Sequence, residues 1–183
     1  MDYGGSGCMY LVSIYFDENT NKIIKQHISQ IAQKCGNTYM LDGNVPPHIT
    51  ISAFQSENEA QVIEMLHKSL RNIKGGSLQW ATVGMFLPYV IYTAPVLNEY
   101  LYNLSLQVFE SIKAADGIVI SKYYRPLQWI PHTTLAKKLS RDEMAKAFEC
   151  LQNSFGVFSG QVVRIGLAKT NPYEDIVSWR CEK

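Results

Sequence analysis

Paired cysteines are missing from this chain. Cys8, Cys35, Cys150 and Cys181 are scattered, with no C-x-x-C. A disulfide framework is denser and belongs to smaller chains, and a zinc site wants ligands in close pairs. Reduced thiols in the cytoplasm are therefore expected, with no metal and no cofactor. An excess of one charge sign is also missing: 17 basic residues face 16 acidic ones, a net charge of +1. That balance does not suit a protein that wraps long nucleic acid through phosphates alone. No run is suited to crossing a membrane. The longest uncharged stretch, 75–98, contains Gly75, Gly76, Ser77, Gln79, Pro88 and Pro95, which fits two strands and their turns. The first residues, Met1-Asp2-Tyr3-Gly4-Gly5-Ser6-Gly7, have neither the basic nor the apolar part of a secretory signal. Residues 1–8 read as a flexible leader and 9–183 as one domain. Histidine is scarce too, with four in 183 residues.

What is present is globular. Hydrophobic residues make up 46% and charged residues 18%, and a chain of this length buries roughly 70% of its unfolded surface. An apolar, β-rich run at Cys8–Phe16 reads as a buried strand. Asn21 is placed to cap a helix carrying Ile24, Ile28, Ile31 and Cys35, which Gly36-Asn37 stops. Residues 46–54 alternate as a strand. Ser56-Glu57-Asn58-Glu59 reads as a capping box before a helix with Ile63, Leu66, Leu70 and Ile73 inward. Strands are expected at 78–87 and 90–93. A third helix should start at Pro95, with Leu97, Leu101, Leu104, Val108 and Ile112 on its apolar face. Further strands are expected at 117–124, 129–137, 161–169 and 176–181, with Asn171-Pro172 as a turn. Ser140-Arg141-Asp142-Glu143 is a second capping box. The pattern is α+β, with about four helices and eight strands.

Sliding the chain on itself by 84 residues lays Pro47-His48-Ile49-Thr50-Ile51 over Pro131-His132-Thr133-Thr134-Leu135. Ser56 then falls on Ser140 and Glu59 on Glu143. Two of the four histidines thus share one Pro-His-x-Thr-apolar context. Two copies suit a bilobal domain, with two pseudo-twofold-related lobes of sheet and helix around a central cleft. Strand side chains alternate faces, so His48 and Thr50 point one way, as do His132 and Thr134. Two imidazoles titrating near neutrality can act as a paired general base and acid. Two threonine hydroxyls can hold the oxygens of a phosphodiester without a change of charge. A zinc pair lacks an adjacent Asp, Glu or Cys, and Ser52, on the face of His48, has no nucleophile elbow around it. Buried histidines of a silent binding module are the remaining alternative. His27 and His67 read as surface or flank residues.

The paired motifs resemble the 2H phosphoesterase superfamily, which includes 2′–5′ RNA ligase-like proteins and 2′,3′-cyclic nucleotide phosphodiesterases. The segment Trp129-Ile130-Pro131-His132-Thr133-Thr134-Leu135-Ala136-Lys137 is similar to the ligase-like branch, which often has arginine where this chain has Lys137. The resemblance implies metal-independent hydrolysis of a 2′,3′-cyclic phosphate or a 2′–5′ linkage in a nucleotide or short RNA. His48 and His132 would be acid and base, and Thr50 and Thr134 phosphate anchors. Degradation of cyclic or 2′–5′ oligonucleotide signals is the second enzymatic reading.

Charge is uneven. Residues 122–146 hold six basic and two acidic residues, a segment of +4 that leaves −3 elsewhere. Tyr123, Tyr124 and Trp129 are interleaved with those cations, a base-stacking pattern. Tyr124, Arg125, Trp129 and Lys137 are the expected substrate contacts, and a nucleotide-sized ligand is favoured over long RNA. Nothing marks a protein interface, so a monomer is expected.

Overall fold

The computed structural model describes residues 8–170 and 173–182. Residues 1–7 of the expected leader 1–8, and the expected turn at Asn171-Pro172, lie outside them; Cys8, read both as the end of that leader and as the start of a strand, opens the first strand. The strands are β1 (Cys8–Phe16), β2 (His48–Ser56), β3 (Ser77–Phe86), β4 (Val90–Pro95), β5 (Val119–Ile120), β6 (Thr133–Ala136), β7 (Phe158–Lys169) and β8 (Glu174–Arg180). The helices are α1 (Glu18–Cys35), α2 (Tyr39–Asp42), α3 (Glu59–Leu70), α4 (Glu99–Ile112) and α5 (Arg141–Ser154). Every pairing between these strands is antiparallel, in the order β5-β2-β1-β7-β3-β4-β6, with β8 also on β7.

β7 serves two groups of strands. Its residues 158–161 pair with β3, and its residues 162–169 pair with β1. α3 and α4 pack together behind β2 and β8, whereas α1 and α5 pack together behind β4, β6 and β7. The sheet face toward α3 and α4 is largely apolar: Val12, Ile14, Ile49, Ile51 and Ile165 are buried with Leu66, Leu70, Leu104 and Val108, and the buried Ser52, paired with Val12 beside a bulge, is the polar exception in that register. Each such side chain, fully buried, contributes about 1.5–3 kcal/mol. The alternate residues of the same strands, Ser13, Tyr15, His48 and Thr50, are left for the opposite face.

Several element boundaries differ from the expectations. Asp17, not Asn21, caps α1. Its carboxylate accepts from Thr20 N at 2.9 Å and from Gln161 N at 2.6 Å, while Asn21 turns back to the Phe16 carbonyl. Asn58, not Ser56, caps α3, because Ser56 is still in β2 and its hydroxyl accepts from Asn58 N. The box at Ser140 and Glu143 is present, so the repeat carries that cap only once. Pro95 ends β4, and α4 begins after the Asn98 cap. The expected strand at 117–124 shrinks to Val119–Ile120, because the Ser121 hydroxyl accepts from Tyr123 N and turns the chain into a single 3-10 turn. The strand expected over 129–137 pairs only at Thr133–Ala136; Pro131 has no N–H for the ladder. α2 is one turn, too short to have a sequence period.

His27 is also corrected. It is 7% exposed, wedged between Phe155 and Phe158, with Nδ1 unpartnered. Burial pushes its pKa below the ordinary value. The folded state therefore prefers neutral His27, and its contribution is complete above the unfolded value near 6.5 and is lost as pH falls below it. Thermal unfolding between pH 7.5 and 5 should show a falling midpoint in the wild type and a shallower fall in His27→Leu. An identical slope in both would contradict this.

Candidate active site

The two motifs hold their histidines in the same way. His48 Nδ1 lies 2.8 Å from the Pro46 carbonyl, and His132 Nδ1 lies 2.8 Å from the Ile130 carbonyl. A carbonyl only accepts, so Nδ1 carries the proton in both rings and Nε2 is the nitrogen left for chemistry. The proline before each histidine holds residues 46 and 130 extended, which points their carbonyls back at the imidazole. Pro47 and Pro131 are themselves buried.

Each ring also has a tyrosine beside it, and each tyrosine has a glycine under it. Tyr15 pairs in register with His48, and their rings are 6.1 Å apart. A Cβ on Gly166 would stand 2.9 Å from Tyr15 Cε2. Tyr92 lies 5.4 Å from the His132 ring, and a Cβ on Gly84 would collide with the Tyr92 phenol. Phe86 adds an edge contact to His132 at 4.8 Å. None of these partners is visible in the sequence. Tyr15 sits in a strand that reads as uniformly buried, and Gly84, Phe86 and Tyr92 sit in an uncharged stretch with no motif.

Two neighbouring cavities open at the motifs. One, of about 480 Å³, is lined by His48 together with Thr134, Lys137, Tyr39 and Tyr173. The other, of about 360 Å³, is lined by His132, Phe86, Tyr123, Tyr124, Gln128 and Trp129. The second-motif threonine therefore faces the first-motif histidine. Thr50 is buried and shares a 3.2 Å hydrogen bond with Ser13. Trp129 is largely buried, and its indole N–H donates to the Thr50 carbonyl at 3.0 Å. It thus ties the segment before one motif to the strand of the other while its ring lines the His132 cavity. Tyr124 and Lys137 each line a cavity at a histidine. Arg125 does not: it lies over a separate depression with Phe109, Lys113 and Ile118. Ser52, 1% exposed, is sealed from any substrate.

The electrostatics of the two imidazoles differ. Burial pushes both below the ordinary histidine value, while the Pro46 and Ile130 carbonyls oppose that shift. The charge of Asp175 also favours a proton on His48, and a charged His48 opposes a proton on His132. Asp175 acts on His48 through space, and a line of phenols runs from it to Tyr15, whose ring flanks His48. Tyr173 donates to Asp175 Oδ1 at 2.8 Å, and so Tyr15 donates to Tyr173 at 3.1 Å. Burial raises both phenols above the ordinary tyrosine value, which keeps that line protonated. Among the described residues no three His, Cys, Asp or Glu side chains cluster to hold a metal, and no helix is long and apolar enough to cross a membrane.

The family model of the 2′-5′ RNA ligase superfamily matches residues 22–174. Among solved structures, a phosphoesterase matches with TM-score 0.65 at 14% identity, over 96% of this chain and 99% of its own. E. coli LigT complexed with 3′-AMP matches with TM-score 0.63 at 14% identity, over 97% and 100%. TT0787 of Thermus thermophilus matches with TM-score 0.64 at 13% identity, over 94% and 97%. At such identities the likeness is one of fold. No curated protein matches the chain in sequence.

Replacing Trp129 with Phe keeps the aromatic ring but strands the Thr50 carbonyl. Urea unfolding should show a loss of about 1–3 kcal/mol, the cost of an unsatisfied buried acceptor; an unchanged stability would show that the bond carries no weight.

Proposed function

The chain belongs to the 2′-5′ RNA ligase superfamily, and on that premise we propose that it is a metal-independent phosphodiesterase of the 2H type. Its substrate is a 2′,3′-cyclic phosphate or a 2′–5′ linkage in a nucleotide or short RNA, and His48 and His132 do the proton transfers. The observation that carries this reading is the matched pair of imidazoles, each with Nδ1 tied to its own backbone and Nε2 left free. The separated, unpaired thiols suit a reducing cytoplasm.

The division of labour follows from the asymmetry. Burial disfavours the proton on both rings, Asp175 partly offsets this at His48, and on that ground we assign His48 as the acid. His132, held neutral by burial and by the His48 charge, is the base. In hydrolysis of a cyclic phosphate, His132 Nε2 takes a proton from water as the water oxygen bonds to phosphorus. The bond from phosphorus to one ribose oxygen breaks, and His48 Nε2–H gives that oxygen its proton. Thr134, beside His48, donates to a non-bridging oxygen. Thr50 does the same once it turns from Ser13. Tyr124 and Trp129 offer ring faces to a base, and Lys137 a point charge to the anion.

The test is a panel of 2′,3′-cyclic mononucleotides, 2′–5′ and 3′–5′ dinucleotides and cyclic dinucleotides, run in EDTA. One class should turn over, and His48→Ala and His132→Ala should each lose about 10²–10⁴-fold. Full activity in either variant would end the two-histidine mechanism, and activity restored only by zinc would replace it with a metal mechanism. The pH profile carries a sign. Both imidazoles are depressed in the free protein, so kcat/KM should peak below about 6.5 and fall above it as His48 loses its proton. The kcat profile should lie to the alkaline side, because bound phosphate favours protonated imidazole. A kcat/KM optimum well above 7 would contradict the assignment.

A further inference from the structure

The strand register sets four residues in one line across the sheet. His48 on β2 pairs with Tyr15 on β1, Tyr15 with Arg164 on β7, and Arg164 with Arg180 on β8. Directly paired residues share a sheet face, so both arginines stand on the face that carries His48. The Arg164 guanidinium stacks on the Tyr15 ring, 3.8 Å from its centroid.

Like charges directly opposite on neighbouring strands repel. Here no ion pair offsets that repulsion: among the described residues neither arginine forms one. The two share a depression of about 490 Å³ with Tyr15, Asn21 and Pro46, and no carboxylate lines it. Pro46 is the residue whose carbonyl holds His48, so this depression adjoins the proposed reaction centre. Guanidinium groups bind phosphate oxygens in pairs, by geometry as well as charge. At about 4.8 Å per strand, Arg164 and Arg180 lie roughly 10 and 14 Å from His48 along the row. Those are backbone spacings: the Arg164 guanidinium folds back onto the Tyr15 ring, and Arg180, two strands beyond Tyr15, is the farther of the two from His48.

We infer that Arg164 and Arg180 form a second phosphate site, which binds a phosphodiester of the same substrate strand some distance from the scissile one. The inference rests on the phosphodiesterase reading and narrows its substrate class. The preferred substrate is then an oligonucleotide laid across β2, β1, β7 and β8, and not a mononucleotide. The sequence alone favours a nucleotide-sized ligand, because the net positive charge is confined to 122–146 and the rest of the chain is slightly acidic. Arg164 and Arg180 lie outside that segment and meet only through strand pairing.

The experiment measures binding of a fluorescein-labelled tetradeoxyadenylate by anisotropy, and of adenosine monophosphate by competition, over a range of salt. The proteins are wild type, Arg180→Gln, Arg180→Lys and the Arg164→Gln/Arg180→Gln double variant. The wild type should prefer the tetranucleotide, and the double variant should lose about tenfold of that preference. The slope of log affinity against log salt should shrink by about 0.7 for each phosphate no longer neutralised. Arg180→Lys should retain the slope. Because Arg164 packs on Tyr15, the exposed Arg180 is the decisive single change. No tetranucleotide preference in the wild type, or a preference and slope unchanged in Arg180→Gln and the double variant, overturns the site. If the arginine variants weaken tetranucleotide binding while the substrate panel shows no hydrolysis, the phosphate site stands and the catalytic reading falls.

Discussion

Each imidazole is tied to the backbone two residues before it, and much of the site depends on that constraint. A free histidine on a strand end samples both tautomers and several ring orientations. Here a proline fixes the preceding backbone, the carbonyl fixes the proton on Nδ1, and the ring plane follows. A tyrosine seated over a glycine flanks the side of each ring. Positioned Nε2 atoms are what proton transfer needs, because a base or acid works only within hydrogen-bond reach of its target. The Trp129–Thr50 bond then sets one motif against the other.

The two histidines are alike in their local geometry and unlike in their surroundings. His132 stands among Phe86, Tyr92, Tyr124 and Trp129. His48 stands beside Thr134 and Lys137, with the Asp175 charge acting on it through space. A symmetric pair would share one proton with no preference for either ring. The environment removes that symmetry, which is the condition under which two groups of one chemical type can take different roles.

The H-x-T motifs were legible because their chemistry is local: a proline, a histidine and a threonine at fixed spacing, written twice. Helix faces were legible for the same reason, since Ile24, Ile28 and Ile31 in α1, or Leu101, Leu104 and Val108 in α4, repeat at the helical period. Caps were less so. Ser56 and Asn21 have the right chemistry, but the strand end before each helix decided which nearby side chain reached the free N–H groups. Arg125 was grouped with the second motif by nearness in sequence and lies over another depression. The partners of the histidines were not legible at all. Tyr15 with His48, and Tyr92 with His132, meet through pairing between strands remote in sequence, and no local pattern encodes a register.

β7 has a consequence for how the chain is made. It pairs with β1, β3 and β8, so it joins the first strand to the last. On the ribosome, β1 emerges first and can pair with β2, but its other edge waits until residues 162–169 have left the exit tunnel. Both strand groups stay open until then. The nascent protein therefore holds its histidine strands for most of synthesis without a closed sheet, and the site forms as a late, long-range event.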